Sequence, residues 1–255
     1  MNIAVLLKQV PDLAEDLEIA DSGDALDPEY VTYVLNEFDD YALEEALQLK
    51  EATGGSVTAI SLGTEDAEDA LYTAVAKGAD AAVKVGDFEE EPLDTHTAAR
   101  ILASVLRDRG FDLILTGVQA IDDLDGWTAP LVATYLGIPH VSVVTHIAPS
   151  DGGVKVDQEY AGGLMAEFEV SFPAVLGVQA ARAVPRYAPV SKVRQAMQTT
   201  EIEEIGAEPE GSSGITVRRL YAPEAAGHAE MLEGAPEAVA ERLASILRER
   251  GLVAG

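Results

Sequence analysis

The segment of the sequence best suited to chemistry follows an apolar run in the middle of the chain. Residues 116–123 (TGVQAIDD) leave that run through a glycine, carry two adjacent aspartates and lead to Gly126, Trp127 and Thr128. A helix that begins there can hold a phosphate on its free N–H groups, with Gly126 allowing a close approach and Thr128 offering a hydroxyl. Residues 62–64 (LGT) repeat the arrangement earlier in the chain. Because many such turns do no more than begin a helix, phosphate binding and simple helix capping both remain open at this point.

The usual signatures of catalysis and cofactor binding are missing from the sequence. There is no GxGxxG dinucleotide fingerprint, no GxxxxGK[ST] phosphate loop and no GxSxG nucleophile elbow. Cysteine is absent, which excludes disulfides, thiolate metal sites and cysteine nucleophiles. The four histidines have no metal-ligand spacing. Asp122 and Asp123 could bind a metal or exchange a proton, but adjacent carboxylates in so acidic a chain are usually only solvated. The residues therefore predict a binding protein with no catalytic or metal-ligating group.

Two hydrophobic periods alternate through the first half of the chain, which predicts βαβ units. Short apolar runs typical of buried parallel strands alternate with segments whose apolar residues recur at helical spacing. We therefore expect an α/β fold with a doubly wound, mostly parallel sheet. Strands are predicted at 3–10, 56–62, 81–85 and 111–116, with helices beginning near Asn36, Thr64, Asp94 and Trp127. Ligands of such sheets bind beyond the carboxyl ends of the strands, where the strand order reverses, so residues 8–10, 62–64 and 116–123 should meet there.

The second half of the sequence differs in pattern. After Pro139, three apolar runs separated by glycine-rich turns predict an antiparallel ribbon at 141–147, 154–160 and 164–170, followed by a buried strand at 174–178. No sheet pattern follows Gln179, so we expect a C-terminal arm with little core of its own, which usually packs on a partner chain. Residues 11–30 form an acidic insertion that we expect on the surface.

The charge of the chain excludes several partners. With 17 Lys and Arg against 45 Asp and Glu, the net charge is −28, while 47% apolar residues suffice for a core. A surface this negative repels phosphate backbones and anionic lipids, so nucleic-acid binding and membrane attachment are not expected. No apolar run is long enough to span a bilayer and the first ten residues lack a basic signal region, which predicts a cytoplasmic protein. Only six lysines accompany the acids. This composition favours a protein of a halophilic cytoplasm; the alternative is an acidic protein from an organism that lives at low salt.

Several segments match one family pattern when they are taken in order. They are VLLKQVPD (5–12), NEFDDYALEEALQLKE (36–51), ALYTAVAKGADAAVKV (70–85), DLILTGVQAIDD (112–123), FPAVLGV (172–178) and PRYAPVSKVRQA (185–196). Together they resemble the β subunit of electron transfer flavoproteins, the small subunit of a heterodimer, over about residues 1–200. The resemblance implies an adenine nucleotide α-hydrolase-like fold and the role of an electron carrier, which is not itself an enzyme.

The resemblance also implies two cofactors. In the family, the redox FAD is shared with the α subunit, and the sheet of the β subunit binds AMP or, in electron-bifurcating members, a second FAD. Carried over by motif, the nucleotide pocket would comprise Leu6, Asn36, Glu37, Phe38, Asp39, Leu62, Gly63, Gln119, Ala120, Ile121, Asp122, Asp123, Asp125, Gly126 and Thr128. Most of these positions lie in the loops that sheet geometry singles out independently.

Protein partners are implied as well. The family accepts electrons from acyl-CoA or other dehydrogenases and passes them to ETF-quinone oxidoreductase or another acceptor, as a heterodimer with the α subunit. Residues 180–200 resemble the partner-recognition loop, with Arg186, Tyr187 and Val190 as partner-docking residues. On this view residues 1–179 form the nucleotide-binding domain with its ribbon, and residues 201–255 form the arm that packs on the α subunit.

The nucleotide loop departs from the family pattern. Leu124-Asp125-Gly126-Trp127-Thr128-Ala129 stands where D-[TC]-x-Q-x-[GA] is usual, and Val118 replaces the usual lysine or glutamate. The choice between AMP and a second FAD is therefore open. A nucleotide-binding regulatory protein of the universal-stress type is the alternative function, but its glycine-rich phosphate loop is missing and it would leave the ribbon and residues 180–200 unexplained.

Overall fold

The structure is a computed structural model that describes residues 1–64, 66–88, 93–208, 216–222, 229 and 231–253. The chain divides into two compact units, Met1–Arg219 and Leu220–Gly255. In chain order the elements are β1 (Asn2–Leu7), β2 (Gln9–Pro11), a 3-10 turn (Pro28–Tyr30), β3 (Tyr33–Leu35), α1 (Glu37–Thr53), β4 (Ser56–Leu62), α2 (Ala67–Lys77), β5 (Ala81–Val85), α3 (Thr95–Leu106), β6 (Leu113–Gly117), α4 (Thr128–Leu136), β7 (His140–Ser150), β8 (Gly153–Tyr160), β9 (Leu164–Ser171), β10 (Ala174–Val178), α5 (Val190–Thr199), β11 (Glu203–Ile205) and α6 (Pro236–Glu249).

One nine-stranded sheet organises the first unit, in the order β11-β5-β4-β1-β6-β10-β7-β8-β9. The strands from β11 to β7 run parallel, and β8 and β9 extend the sheet in antiparallel pairing. From β1 the chain proceeds outward to β4 and β5, then returns to the other side of β1 to form β6. The strand order therefore reverses between β1 and β6, and the predicted doubly wound α/β fold is confirmed.

Helices cover both faces of this sheet. Leu43 and Leu47 of α1 pack with Leu71 of α2 against one face, whereas Leu102 of α3 and Val132 of α4 pack against the other. Strands covered on both sides need apolar residues throughout, and β10 is buried along its whole length. Because the whole strand is apolar and buried, its predicted limits, 174–178, agree with the structure.

The predicted antiparallel ribbon is confirmed, and it is continuous with the main sheet, since β7 pairs in parallel with β10. Two details of the sheet differ from the sequence-based prediction. The predicted strand at 3–10 is two strands, because β1 ends at Leu7 and β2 instead pairs with β3 in a separate hairpin. The expectation of no strand after Gln179 is wrong, because β11 pairs with β5 at the sheet edge. β11 has only three residues, two of which are glutamates, so no hydrophobic periodicity could reveal it in the sequence. Tertiary contacts stabilise the strand, among them the hydrogen bond that Arg109 donates to Glu203 (3.1 Å).

The remaining segments are largely exposed. The acidic insertion at 11–30 is, as expected, mostly on the surface, with one β-bridge between Ile19 and Leu26. In the second unit, α6 has no buried residue and its Leu243 is 48% exposed. Within the described part of the chain, no helix has the length and apolar character needed to cross a membrane.

Candidate functional site

The carboxyl ends of β1 and β6 meet at the point where the strand order reverses. Lys8 follows β1, and its ammonium donates to Asp122 (2.8 Å) and Asp123 (3.0 Å) in the loop after β6. Burial disfavours the charged ammonium, but the two carboxylates outweigh burial and raise the pKa of Lys8 above its usual value. Lys8 therefore offsets much of the negative charge that this loop would otherwise present to an anion.

Asp39, in the first turn of α1, holds the two strand ends. One oxygen of its carboxylate accepts from the backbone N–H of Gly117 (2.7 Å), and the other accepts from the backbone N–H of Lys8 (2.9 Å). The residue is only 4% exposed. Burial raises the pKa of Asp39 to about 7, although the backbone hydrogen bond from Gly117, the interaction with Asn36 and the contacts with Lys8 all act to lower it.

The loop between β6 and α4 is fixed by contacts from other elements. Asn36 donates its side-chain N–H to the carbonyl of Gln119 (3.0 Å). Thr95 donates its hydroxyl to Asp125 (2.6 Å), which also accepts from the backbone N–H of Trp127 (2.9 Å). Leu124 adopts a left-handed backbone with φ of 57°, a strained conformation that folded proteins concentrate at functional sites.

The helix starts at this edge differ in how well they suit an anion. Neither α1 nor α4 has a side-chain cap, whereas α3 is capped by Asp94, which accepts from Thr97 N (3.0 Å). The first turn of α1 is acidic, but that of α4, beginning at Thr128, contains no acid. Uncapped N–H groups and the helix dipole favour a phosphate. The start of α4 is therefore the place in this cleft that fits one.

An apolar rim adjoins the start of α4. Ile121 is 43% exposed, Leu124 59% and Trp127 45%. The Trp127 ring stands edge-on to His96, with centroids 5.7 Å apart. Apolar and aromatic groups beside a few convergent polar groups are typical of nucleotide and cofactor sites. The residues present are thus compatible with an anionic group at the start of α4 and an apolar group beside it.

The predicted pocket residues do not all lie in comparable surroundings. The structure brings Asn36, Asp39 and the loop containing Gln119, Ala120, Ile121, Asp122, Asp123, Asp125, Gly126 and Thr128 together at the switch point. Leu6 is 4% exposed and packs in the core beneath α3 and α4.

Four further predicted positions have roles within the fold. Glu37 is exposed and accepts from the Tyr41 hydroxyl (2.5 Å), while Phe38 stacks edge-on with Tyr41. Leu62 ends β4, and a Cβ at Gly63 would lie 2.2 Å from the carbonyl of Gly86. These contacts do not test nucleotide binding, which stays a prediction for these residues.

Sequence reasoning assigned no role to two residues that the structure shows to be central. Lys8 pairs with both Asp122 and Asp123, and Gly117 is the point where α1 approaches β6. Their position at the carboxyl ends of two predicted strands was the available signal. Their partners, 114 and 78 residues away in the sequence, could not be read from it.

Residues 180–200 are held against the middle and the last turns of α1. The Arg186 guanidinium binds Glu44 (2.9 Å) and Glu51 (2.7 Å), and the backbone N–H of Arg182 donates to Glu45 (2.7 Å). Burial acts to raise the pKa of Glu44, but the hydrogen bonds from Arg186 prevail and lower it. Burial raises the pKa of Glu45, which is fully buried.

The predicted docking residues differ in how exposed they are. Tyr187 is 80% exposed, and Val190 at the start of α5 is 60% exposed. The guanidinium of Arg186 is instead engaged with α1, where it anchors the segment. Tyr187 and Val190 are therefore available to a partner, and a docking role for all three residues stays a prediction.

Comparison with known proteins agrees with this architecture. Residues 25–210 match the family model described as the electron transfer flavoprotein domain. The chain is 37% identical over 262 residues to the electron transfer flavoprotein subunit beta of Methylophilus methylotrophus, covering 98% of each chain. It is 31% identical over 261 residues to the protein of that name from Bacillus subtilis, covering 99% of this chain and 100% of the relative. The chain therefore belongs to the β-subunit family of electron transfer flavoproteins.

Proposed function

We propose that this chain is one subunit of an electron carrier and forms a heterodimer with an FAD-bearing α subunit. The heterodimer would accept electrons from acyl-CoA or other dehydrogenases and pass them to ETF-quinone oxidoreductase or another acceptor. The observation that carries the proposal is the similarity to electron transfer flavoprotein β subunits along 98% of both chains. The described residues contain no metal-binding cluster. A carrier requires no catalytic side chains, because the bound flavin supplies the redox chemistry.

The switch-point cleft would bind an adenine nucleotide, either AMP or a second FAD. The acid-free start of α4 supports a phosphate there, with Thr128 in its first turn. Lys8 supports it further, because its ammonium offsets one of the two negative charges of Asp122 and Asp123. The exposed ring of Trp127 supports a base alongside. In this role the chain's own residues bind and orient the nucleotide and exclude water from its base.

Two surfaces would serve the protein partners. Tyr187 and Val190 expose apolar area on a segment that Arg186 fixes to α1, as a docking surface for dehydrogenases requires. The arm 201–255 would pack on the α subunit. Its helix α6 has apolar residues such as Leu243 but no buried one, which supports a partner that covers it.

We further propose a cytoplasmic location and a halophilic cytoplasm. The composition of 45 acids and six lysines supports a hydrated carboxylate surface whose self-repulsion is screened in concentrated salt. The melting temperature should rise steeply between dilute buffer and molar KCl. A melting temperature that is independent of salt would contradict the halophilic assignment and leave the electron-carrier proposal unaffected.

The electron-carrier proposal is tested by co-expression with the α subunit. The purified complex should be yellow, and its released nucleotides should be FAD with AMP, or FAD alone at two equivalents per heterodimer if the second site holds a flavin. The control is the same chain expressed by itself. A chain that stays colourless and forms a homodimer with ATP would contradict the proposal and favour the universal-stress alternative.

A further inference from the structure

The ladder between β1 and β6 ends before either strand does. The two strands are paired at Ile3 with Leu113, Ala4 with Ile114 and Val5 with Leu115. Beyond Val5, β1 stays paired only with β4, and beyond Leu115, β6 stays paired only with β10. The two strand ends are therefore adjacent but not paired with each other at the switch point, which is where sheets of this kind have their ligand crevice.

The carboxylate of Asp39 joins these two strand ends. It accepts from Gly117 N on the β6 side and from Lys8 N on the β1 side, at 2.7 and 2.9 Å. Each of these N–H groups lies past Val5 and Leu115, the last residues that pair β1 with β6. At 4% exposure, and with both oxygens engaged, Asp39 is poorly placed to contact a ligand directly.

We propose that Asp39 is a positioning residue of the nucleotide site, whose ionised carboxylate joins the ends of β1 and β6 and so sets the width of the cleft. This role rests on the proposed function, because it concerns the affinity of that same cleft for a nucleotide. It differs from the direct contact that the family motif implies for this position. Asp39 acts on the ligand through the backbone around Lys8 and Gly117.

Gly117 gives the close approach on which this contact depends. A Cβ at this position would lie 2.5 Å from an Asp39 carboxylate oxygen and 2.7 Å from the Cβ of Phe38. Since real side chains do not tolerate such distances, any other residue at 117 would displace the start of α1. The glycine and the aspartate therefore form a matched pair across the helix–strand contact.

The charged surroundings of Asp39 make its role depend on pH. From β1, Lys8 faces it; the loop after β6 contributes Asp122 and Asp123, both bound to Lys8. On α1 itself, Glu37 is exposed and Asp40 is paired with Lys77. Burial raises the pKa of Asp39 to about 7. Below that pH one oxygen carries a proton and accepts more weakly, so the cleft should hold a nucleotide less well.

The decisive variant is Asp39→Asn, which keeps the shape but offers one acceptor and one NH₂ group to the two N–H donors. AMP is the probe, titrated into the nucleotide-stripped heterodimer at pH 8 and at pH 5.5. The wild type should bind AMP about tenfold more tightly than Asp39→Asn at pH 8, the cost of one charge-assisted hydrogen bond. At pH 5.5 the two proteins should differ by no more than about twofold, because neither holds a carboxylate there.

The matched control is Asp112→Asn. Asp112 also accepts from a strand N–H, that of Asn2 (2.7 Å), but at the amino end of β1. Its AMP affinity should equal that of the wild type at both pH values. Equal affinity of Asp39→Asn and wild type at pH 8, or an equal loss at both pH values, would overturn the positioning role and leave the nucleotide site intact.

A second measurement is independent of any nucleotide. Amide hydrogen exchange at Lys8 and Gly117 should be faster in Asp39→Asn than in the wild type at pH 8, with the amides of β10 unchanged. Unchanged exchange at both residues would overturn the positioning role by itself. A wild-type heterodimer that binds neither AMP nor FAD in the cleft would instead overturn the proposed nucleotide site, while exchange would still decide whether Asp39 joins the strands.

Discussion

Two regions of α1, its first turn with Asp39 and the segment from Glu44 to Glu51, hold two different parts of the molecule with carboxylates of different character. At the start of the helix, Asp39 accepts from neutral backbone N–H groups, and burial raises its pKa to about 7. Further along, Glu44 accepts from the cationic guanidinium of Arg186, and its pKa is lowered despite burial. A buried carboxylate is stabilised in its charged form far better by a cation than by amides alone. Asp39, in the first turn of α1, therefore has the carboxylate whose charge changes near neutral pH, whereas Arg186 keeps Glu44 ionised; next to Glu44, burial raises the pKa of Glu45 as well.

The largest expected effect on stability is that of removing Arg186 from its contact with α1. Arg186→Ala would leave the buried carboxylate of Glu44 without its cation, a loss of about 3 kcal/mol in the free energy of unfolding. Urea denaturation measures this loss, and Arg194→Ala, an exposed arginine on α5, is the control. AMP affinity should stay within about twofold of wild type. A parallel loss of AMP binding would show that the contact between Arg186 and Glu44 also supports the nucleotide-binding region around Asp39.

The substitution Gly117→Ala tests the close contact between β6 and the first turn of α1. Because its Cβ would lie 2.5 Å from the Asp39 carboxylate, we expect a loss of about 2 kcal/mol in unfolding free energy together with weaker AMP binding. Gly206→Ala, whose Cβ meets nothing within 4 Å, is the matched control. Normal AMP affinity in Gly117→Ala would remove the structural link between the α1–β6 contact and the cleft.

The pH dependence of stability should have opposite signs for Asp39 and for Glu44. The folded-state pKa of Asp39 is raised above its unfolded value of 3.8, so its contribution is present at low pH and is lost as pH rises towards about 7. Glu44, with a lowered pKa, contributes above its unfolded value of 4.5 and loses that contribution as pH falls below it. Urea denaturation between pH 5 and 8 should show a decline of about 2 kcal/mol in wild type, since linkage costs about 1.4 kcal/mol per pH unit until the folded-state pKa is reached. The decline should be absent in Asp39→Asn, and its persistence there would assign it to another group.

The smallest effect is expected at the exposed ion pair above the cleft. Asp122→Asn leaves Lys8 paired with Asp123, and surface pairs contribute less than about 1 kcal/mol. Stability in urea should therefore change little, and AMP affinity should rise slightly because one negative charge near the phosphate is gone. A marked loss of affinity would mean that Asp122 contacts the nucleotide directly, as the family motif implies.

Much of the fold could be predicted from local patterns. The limits of β10 and the alternation of strands and helices follow from runs of apolar residues that two covered sheet faces require. The prediction failed at β11 because a strand of three residues is too short to show a pattern. It failed at β2 because tertiary pairing decided the outcome: the chain does not continue β1 there but pairs with β3. Residue periodicity is a local property, and these contacts are not local.

The sequence by itself determined the α/β architecture, the family and the loop that faces the carboxyl edge of the sheet. Only the tertiary structure decided what the polar side chains of that edge do. Asp39 meets Gly117 across 78 residues, Lys8 meets Asp122 across 114, and Arg186 meets Glu44 across 142. Such pairs form because the strand order brings distant segments together. At the two buried meeting points, those of Asp39 and Glu44, burial and the partner together then set the charge of the carboxylate.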